Sequence, residues 1–481
     1  MAGGVCYTDE VASIFGKLLK RGAIPASRAG QFAAICQDAA EADTAGDYER
    51  ALSLYERALT LDPSHAEAYY KRGNCLKNLG RLEAAIASFN QAIGHRAHYP
   101  YAYCNRGVVQ QALGLTTEAL MSYDRSIALD PAEAMAHYNR ALLLQECSRR
   151  EEALESYDRA IAINPEYADA QFNRSLAALF RGEFERGWRG YEWRWKNASR
   201  LGIGELRQFT QPLWLGVEPV AGKRVLLHSE AGLGDTIQFC RYAPALAAMG
   251  ATVYLEVQPH LLGLLSSLAG VSQLMASGSA LPPFDYHCPL MSLPLAFKTT
   301  LETIPSARSY LRSTAQDVAQ WRARLPQHGR PRVGLAWSGN SKNLIDGRRS
   351  IRLADWIAHL PEEFDFFCLQ KDVREEDQRT LDSNPRIVGF DDEPDFINTA
   401  ALCECMDIVI SVDTSVAHLS AALGRPTWIL LPFIPDWRWM AERDDSPWYP
   451  SAKLYRQTTV GDWDEVLARV AGDLRRELSG G

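Results

Sequence analysis

The chain has no long basic run, no stretch of 18 consecutive apolar residues and no cysteine spacing of the kind that holds zinc. Nor is a G-x-G-x-x-G or G-x-x-x-x-G-K-[ST] motif placed to support a dinucleotide or P-loop site. Each absence removes a class of function. With 51 Lys plus Arg against 59 Asp plus Glu, the net charge is -8, and nucleic acid is not an expected partner. Residues 1–19 carry Asp9, Glu10 and Lys17 where a signal peptide would need an apolar core. No transmembrane segment is expected, and the cytoplasm is the expected location. The ten cysteines are scattered; Cys403 and Cys405 alone lie close, in a C-x-C on an expected helix. No disulfide framework, metal site or cofactor is expected. At 481 residues the chain should hold two or three domains.

What is present in the first half is a period. Gly73, Gly107, Ala141 and Ser175 stand 34 residues apart, as do Gly46, Gly80, Gly114, Ser148 and Gly182. A third column is Ala51, Ala85, Ala119, Ala153 and Gly187, followed four residues later by Tyr55, Phe89, Tyr123, Tyr157 and Tyr191. Pro63, Pro131 and Pro165 close three units, with Ala97 in the fourth place. Each unit reads as a helix pair: small residues let the helices approach, and the aromatic fills the gap to the next unit. This set of columns resembles the tetratricopeptide repeat. About five units are expected over 32–198, at 32–65, 66–99, 100–133, 134–167 and 168–198, behind a leading helical segment at 1–31. The last unit turns aromatic and basic (Trp188, Tyr191, Trp193, Trp195), which suits a capping helix packed on the next domain.

Two adjacent columns carry polar chemistry. Asn105, Asn139 and Asn173 recur in register, with Lys71 in the unit before. Side-chain amides in such a ladder can donate to and accept from an extended peptide, so a protein or peptide partner is expected in the groove. In this column the array resembles the repeat module of O-GlcNAc transferase, known for its asparagine ladder. The alternative is that Asn simply suits these helix surfaces. Arg72, Arg106, Arg140 and Arg174 form the next column and read as packing and surface ion pairing.

After Lys196 short apolar runs alternate with helical segments, which argues for parallel sheets. Strands are expected at 225–229, 252–257, 332–337, 364–369, near 387, at 408–412 and at 427–431, with helices at 236–249 and 317–325. The expected fold is therefore a helical repeat solenoid followed by a two-lobe, Rossmann-like α/β region, with lobes at 220–325 and 330–470. The 408–412 strand runs into Asp413-Thr414-Ser415, then a small apolar helix that carries His418 and stops at Gly424 and Pro426. A helix N-terminus outside the carboxyl end of a parallel strand favours an anionic group such as a diphosphate. Thr414 or Ser415 would alternatively only cap the helix.

Three segments in order, Gly232-Leu-Gly234-Asp235, Gly334-Leu-Ala-Trp337-Ser-Gly339, and Asp413-Thr414 with His418 and Ala421-Ala-Leu-Gly424, resemble glycosyltransferase family 9 over 220–460. Its known members are metal-independent enzymes of the GT-B fold, including ADP-heptose:lipopolysaccharide heptosyltransferases. The resemblance implies a nucleotide-sugar donor on the second lobe and an acceptor on the first. It makes Asp235, beyond the glycine-rich loop Gly232 and Gly234, the base for the acceptor hydroxyl, although an Asp there would equally cap the helix. It matches Lys342 to the family's phosphate lysine. A metal-free transfer must neutralise the leaving diphosphate with protein groups. Candidates are Asp413, Thr414 and Ser415 at the helix N-terminus, and Lys342, Arg348, Arg349 and Arg352 after the strand that opens the second lobe. His418, one turn past Thr414, faces either the ligand or the core. The chain departs from the pattern in having Ser415 where the family has glycine. It also has Asn398 near the place of the family's ribose-binding acid, where Asp395 or Asp392 would substitute. The aromatic tail around 436–450 would stack on a base or sugar, or latch the C-terminal segment onto the lobes. The expected function is transfer of a sugar to an acceptor recruited by the repeats; the alternative is a non-catalytic repeat scaffold with a degenerate glycosyltransferase-like region.

Overall fold

A computed structural model describes residues 27–197, 206–327, 329–341, 346–390 and 395–478. It forms two compact units, Met1–Pro165 and Glu166–Gly481. Most of the leading segment at 1–31 lies outside the described residues, as do Lys342 and Asp392.

In the first unit helices come in pairs: α1 (Arg28–Thr44) with α2 (Tyr48–Leu61), α3 (Ala66–Asn78) with α4 (Leu82–His95), α5 (Pro100–Ala112) with α6 (Thr116–Leu129), and α7 (Ala134–Glu146) with α8 (Arg150–Ile163). The glycine column explains itself. A Cβ on Gly73 would lie 2.6 Å from the Phe89 ring, and one on Gly107 equally close to Tyr123. The aromatic therefore packs on the small residue sixteen positions earlier in its own unit, where the sequence had placed it in the gap to the next unit. Within the pairs the tight turns need a left-handed residue, which Gly46, Gly80 and Gly114 supply at φ 78°, 73° and 75°. The arginine column is a ladder of ties: Arg72, Arg106 and Arg140 each reach forward to Ser88, Ser122 and Ser156 and back to Glu56, Asn90 and Asp124.

The second unit begins with a further pair, α9 (Ala168–Phe180) and α10 (Phe184–Tyr191), then a 3-10 turn at Glu192–Asn197. The sequence placed this pair with the repeats; its aromatics explain why it is compact with the α/β region. Trp188 and Tyr191 are buried in one core with Trp437, Trp448 and Phe239. Two all-parallel sheets follow. The first has the order β3-β2-β1-β4, from β1 (Arg224–His228), β2 (Thr252–Val257), β3 (Val271–Ala276) and β4 (Tyr286–Pro289). The second has the order β10-β9-β8-β5-β6-β7, from β5 (Arg332–Ala336), β6 (Asp365–Cys368), β7 (Ile387–Val388), β8 (Ile408–Val412), β9 (Thr427–Leu431) and β10 (Ala452–Arg456). Read from the other edge, that is the strand order of a dinucleotide-type doubly wound sheet, whose crevice lies where the chain crosses over, between β5 and β8. The corresponding point in the first sheet lies between β1 and β4.

Strands β8 and β9 are buried at every position, as their unbroken apolar runs require. Strands β3, β4 and β10 were not foreseen. Each is a sheet edge, β3 is half exposed, and β4 is four residues containing His287 and Pro289. The helix expected at 236–249 is instead α11 (Leu233–Phe239), a 3-10 turn and a second short helix at Ala243–Ala248, which has proline at its start.

Candidate functional site

At the crossover of the second sheet, β8 ends at Val412 and the chain turns through Asp413 and Thr414 into α12 (Ser415–Ala422). Thr414 holds the N-cap position, but its side chain makes no cap hydrogen bond; its hydroxyl pairs with the Ser411 hydroxyl at 3.0 Å. The first turn of α12 thus keeps backbone N–H groups that no side chain of the cap satisfies, where the helix dipole favours an anion. Gly424, at φ 75°, lets the chain turn back after the helix.

Across the crossover, β5 runs into Trp337-Ser338-Gly339. The Trp337 and Ser338 N–H groups both donate to Gln370 Oε1 at 3.0 Å, which fixes this loop on the end of β6. The Ser338 hydroxyl is buried with no hydrogen-bond partner among the described residues. A Cβ on Gly339 would come within 2.3 Å of Arg349 and 2.4 Å of Asp346, so a side chain there would displace that pair. Arg349 donates to the Asp413 carbonyl at 2.7 Å and pairs with buried Asp346 at 3.2 Å. It therefore ties the two sides of the crossover together. Of the three arginines named from sequence, this is the one turned inward. Arg348 is exposed on the same short helix, and Arg352 pairs with Asp355 at 2.8 Å on the surface.

The Asp413 carboxyl is pushed up to about 6, first by burial and then by Asp436, with Arg349 and Arg438 pulling the other way. His418 faces the core. Its Nδ1 pairs with the Tyr449 hydroxyl at 2.8 Å, its ring stacks on Trp439, and its Nε2 is 3.8 Å from Asp413. Burial, then Arg438, Arg241 and Arg349, hold it well below its usual value, so the imidazole is neutral.

The first lobe meets this helix directly. A Cβ on Gly234 would lie 2.9 Å from the His418 ring, so the glycine-rich loop rests on α12. Asp235 sits at the third position of α11, with Gly232 as N-cap; its Oδ2 accepts from the Gly232 N–H at 2.9 Å. Its Oδ1 pairs with Arg438, a residue that sequence reasoning did not select and that nothing local in the sequence marks. Burial works against the Arg438 charge, but Asp436 and Asp235 outweigh it and raise the guanidinium. The aromatic tail is a latch: Trp437, Trp439, Trp448 and Tyr449 are buried. Asp395 caps its own helix by accepting from the Asn398 N–H, and Asn398 in turn accepts from the Trp321 indole at 3.0 Å.

At the crossover of the first sheet the arrangement differs. Arg194, 1% exposed, enters from beyond α10 and binds Glu230 after β1, Ser292 after β4, and Glu192. Nearby, His228 and His287 bond each other at 3.2 Å in the core. Two open cavities of about 490 and 470 Å³ lie elsewhere, against α10 with Thr300–Glu302 and beside Ser313 with Glu404.

In the first unit Asn105 is buried and donates to the Tyr70 hydroxyl at 3.0 Å and to Asn74 at 2.8 Å. Asn139 is half-buried and reaches the Cys104 sulfur at 3.5 Å. In the second unit Asn173 donates to the Asp169 carbonyl at 3.0 Å. Among the described residues no helix is long and apolar enough to cross a membrane.

Comparison with known proteins identifies the helical region. Tetratricopeptide-repeat models match residues 39–102, 100–133 and 134–167. Protein FlbA of Caulobacter vibrioides is 27% identical over 325 residues, 62% of this chain and 53% of that protein. The chain thus spans about half the length of the curated relative it matches. Among solved structures, MamA is 23% identical with a TM-score of 0.31, covering 34% of this chain and 95% of its own. YrrB, described as a TPR protein with an unusual peptide-binding site, is 24% identical with a TM-score of 0.29, covering 33% and 82%. Pseudomonas aeruginosa PilF is 17% identical with a TM-score of 0.33, covering 34% and 76%.

Proposed function

We propose that this chain is a metal-independent glycosyltransferase, similar to glycosyltransferase family 9, that moves a sugar from a nucleotide-sugar to an acceptor polypeptide recruited by the repeats. The observation that carries this reading is the crossover of the second sheet, where an uncapped helix N-terminus, the Ser338-Gly339 backbone and Arg349 converge. That is the set of groups a leaving diphosphate needs when no metal ion neutralises it. In the reaction the acceptor hydroxyl attacks the anomeric carbon, the bond from that carbon to the diphosphate oxygen breaks, and Asp235 takes the hydroxyl proton. Lys342, which follows Ser341, joins Arg349 on the diphosphate.

A second reading, a repeat scaffold with a binding-only α/β region, is favoured by Asp235 itself. Both its oxygens already hold hydrogen bonds, from Gly232 and Arg438. Thermal stabilisation by a panel of nucleoside diphosphates and nucleotide-sugars tests the donor site, because a ligand of the native state raises its melting temperature, and transfer by Asp235→Asn separates the two readings. The expected result is a shift for one base, abolished in Arg349→Ala and reduced in Lys342→Ala. Asp235→Asn should keep the shift and lose transfer. No shift with any member of the panel would sink the donor site, and unchanged transfer by Asp235→Asn would remove it from the chemistry.

A further inference from the structure

The turn Trp437–Trp439 carries Arg438 and ends at Met440, whose φ of 55° and ψ of 178° lie where glycine alone sits without cost. Glu442, two residues on, also has a positive φ, 52°. Such conformations persist only where the surroundings over-determine them. Here the surroundings belong to the last helix pair. The Ala441 N–H donates to the Phe180 carbonyl at the end of α9 at 3.1 Å. The Met440 methyl lies on Gly182, where a Cβ would approach it to 2.9 Å. Trp437 stands edge-on to Trp188 and Tyr191, with centroids 5.3 and 6.0 Å apart.

Arg438 in turn joins the two lobes. It pairs with Asp235 and donates to Gln238 at 2.7 Å on α11, while holding Asp436 at 2.8 Å on its own turn. Its guanidinium stands over the Trp437 ring at 4.5 Å. The two first-lobe acceptors lie one helical turn apart on α11, so the planar fork grips that helix at two points and fixes the Asp235 carboxylate in direction as well as place.

We propose that Arg438 is a positioning residue for Asp235, and that the last helix pair of the repeats, acting through Met440, sets where Arg438 stands. This rests on the reading of Asp235 as the acceptor-side carboxylate. The Gly232 N–H, whose partner is the other Asp235 oxygen, reports on the arrangement without any ligand.

The test is amide hydrogen exchange across the full chain in Arg438→Gln, Arg438→Lys and Met440→Gly. Arg438→Gln is expected to speed exchange over Gly232 to Thr236 at least tenfold, with β8 and β9 unchanged. Arg438→Lys, which keeps the charge and loses the fork, should restore part of the protection. Met440→Gly, with Arg438 intact, should loosen the same amides because the methyl that rests on Gly182 and anchors the turn is gone. Unchanged exchange at Gly232 in Arg438→Gln overturns the positioning role, and unchanged exchange in Met440→Gly overturns the part given to the repeat. Acceleration spread over both sheets makes Arg438 a general stability element and also overturns the proposal. A local acceleration together with no nucleotide shift in the panel above would sink glycosyl transfer and leave the clamp standing.

Discussion

The two parallel sheets cross over in the same sense, but what stands at the crossover differs. Between β1 and β4 a guanidinium from outside the lobe, Arg194, fills the place and binds Glu230 and Ser292. Between β5 and β8 the lobe's own Arg349 ties backbone to backbone and the first turn of α12 is left uncapped. The crossover that the topology provides twice is thus spanned by an inserted guanidinium in one sheet and by the lobe's own arginine in the other. Strand order locates a ligand site, and the side chains at the crossover decide whether it is one.

The largest test of this contrast is Arg194→Leu. It strands the buried Glu230 carboxylate, and removing one partner of a buried pair costs roughly 3–5 kcal/mol. Calorimetry of the full chain should show the α/β transition fall by about 5–10 °C, with much of the loss recovered in Arg194→Leu/Glu230→Leu. A drop below about 1 °C would mean the first crossover is not sealed by this residue.

Acid sharpens the contrast next. Burial holds His228 down to about 3 and His287 to about 4, whereas an unfolded histidine titrates near 6.5. The unfolded chain therefore binds more protons below pH 6.5, and stability falls as pH drops through that range. Roughly 2 kcal/mol per histidine should be lost between pH 7 and 5. Urea titrations at both values check this, and His228→Phe/His287→Leu should flatten the acid limb.

Asp413 has the opposite sign. Its folded carboxyl titrates near 6 against 3.8 for the ordinary value, so ionisation above 6 works against the fold and the penalty vanishes below 3.8. Asp413→Asn should raise the ligand-free melting temperature at pH 8, by about 3 kcal/mol of stability at most, and leave it unchanged at pH 3.5. Equal effects at both values would place Asp413 outside the desolvated site. The smallest effect belongs to Gln370→Ala, which frees the Trp337 and Ser338 N–H groups. About 1 kcal/mol of stability should go with it, and the nucleotide-induced shift should shrink while the melting of the first unit stays put.

Much of this architecture could be read before the structure, for a local reason. The 34-residue columns are visible because Gly73 and Phe89, or Gly107 and Tyr123, meet within one unit at fixed separation. The strands β8 and β9 are visible because burial on both faces writes an unbroken apolar run. The site was only partly legible. Arg348, Arg349 and Arg352 are alike as sequence, and an inward turn picks out Arg349 through a carbonyl 64 residues away. Arg438 reaches Asp235 across 203 residues, and Arg194 reaches Ser292 across 98. Partners at such distances leave no periodic or spacing signal in either neighbourhood.

The insertion of Arg194 also bears on how such a chain can change length. The helix pairs before Pro165 form a compact unit of their own, built from one repeated pairing of a small residue with an aromatic. The pair α9 and α10 belongs instead to the second unit, because its continuation supplies Arg194, the buried partner of Glu230 and Ser292. Grafting a foreign array onto this body would have to keep everything from Glu166 onward, so the cut belongs before that residue and not after Lys196, where the composition changes.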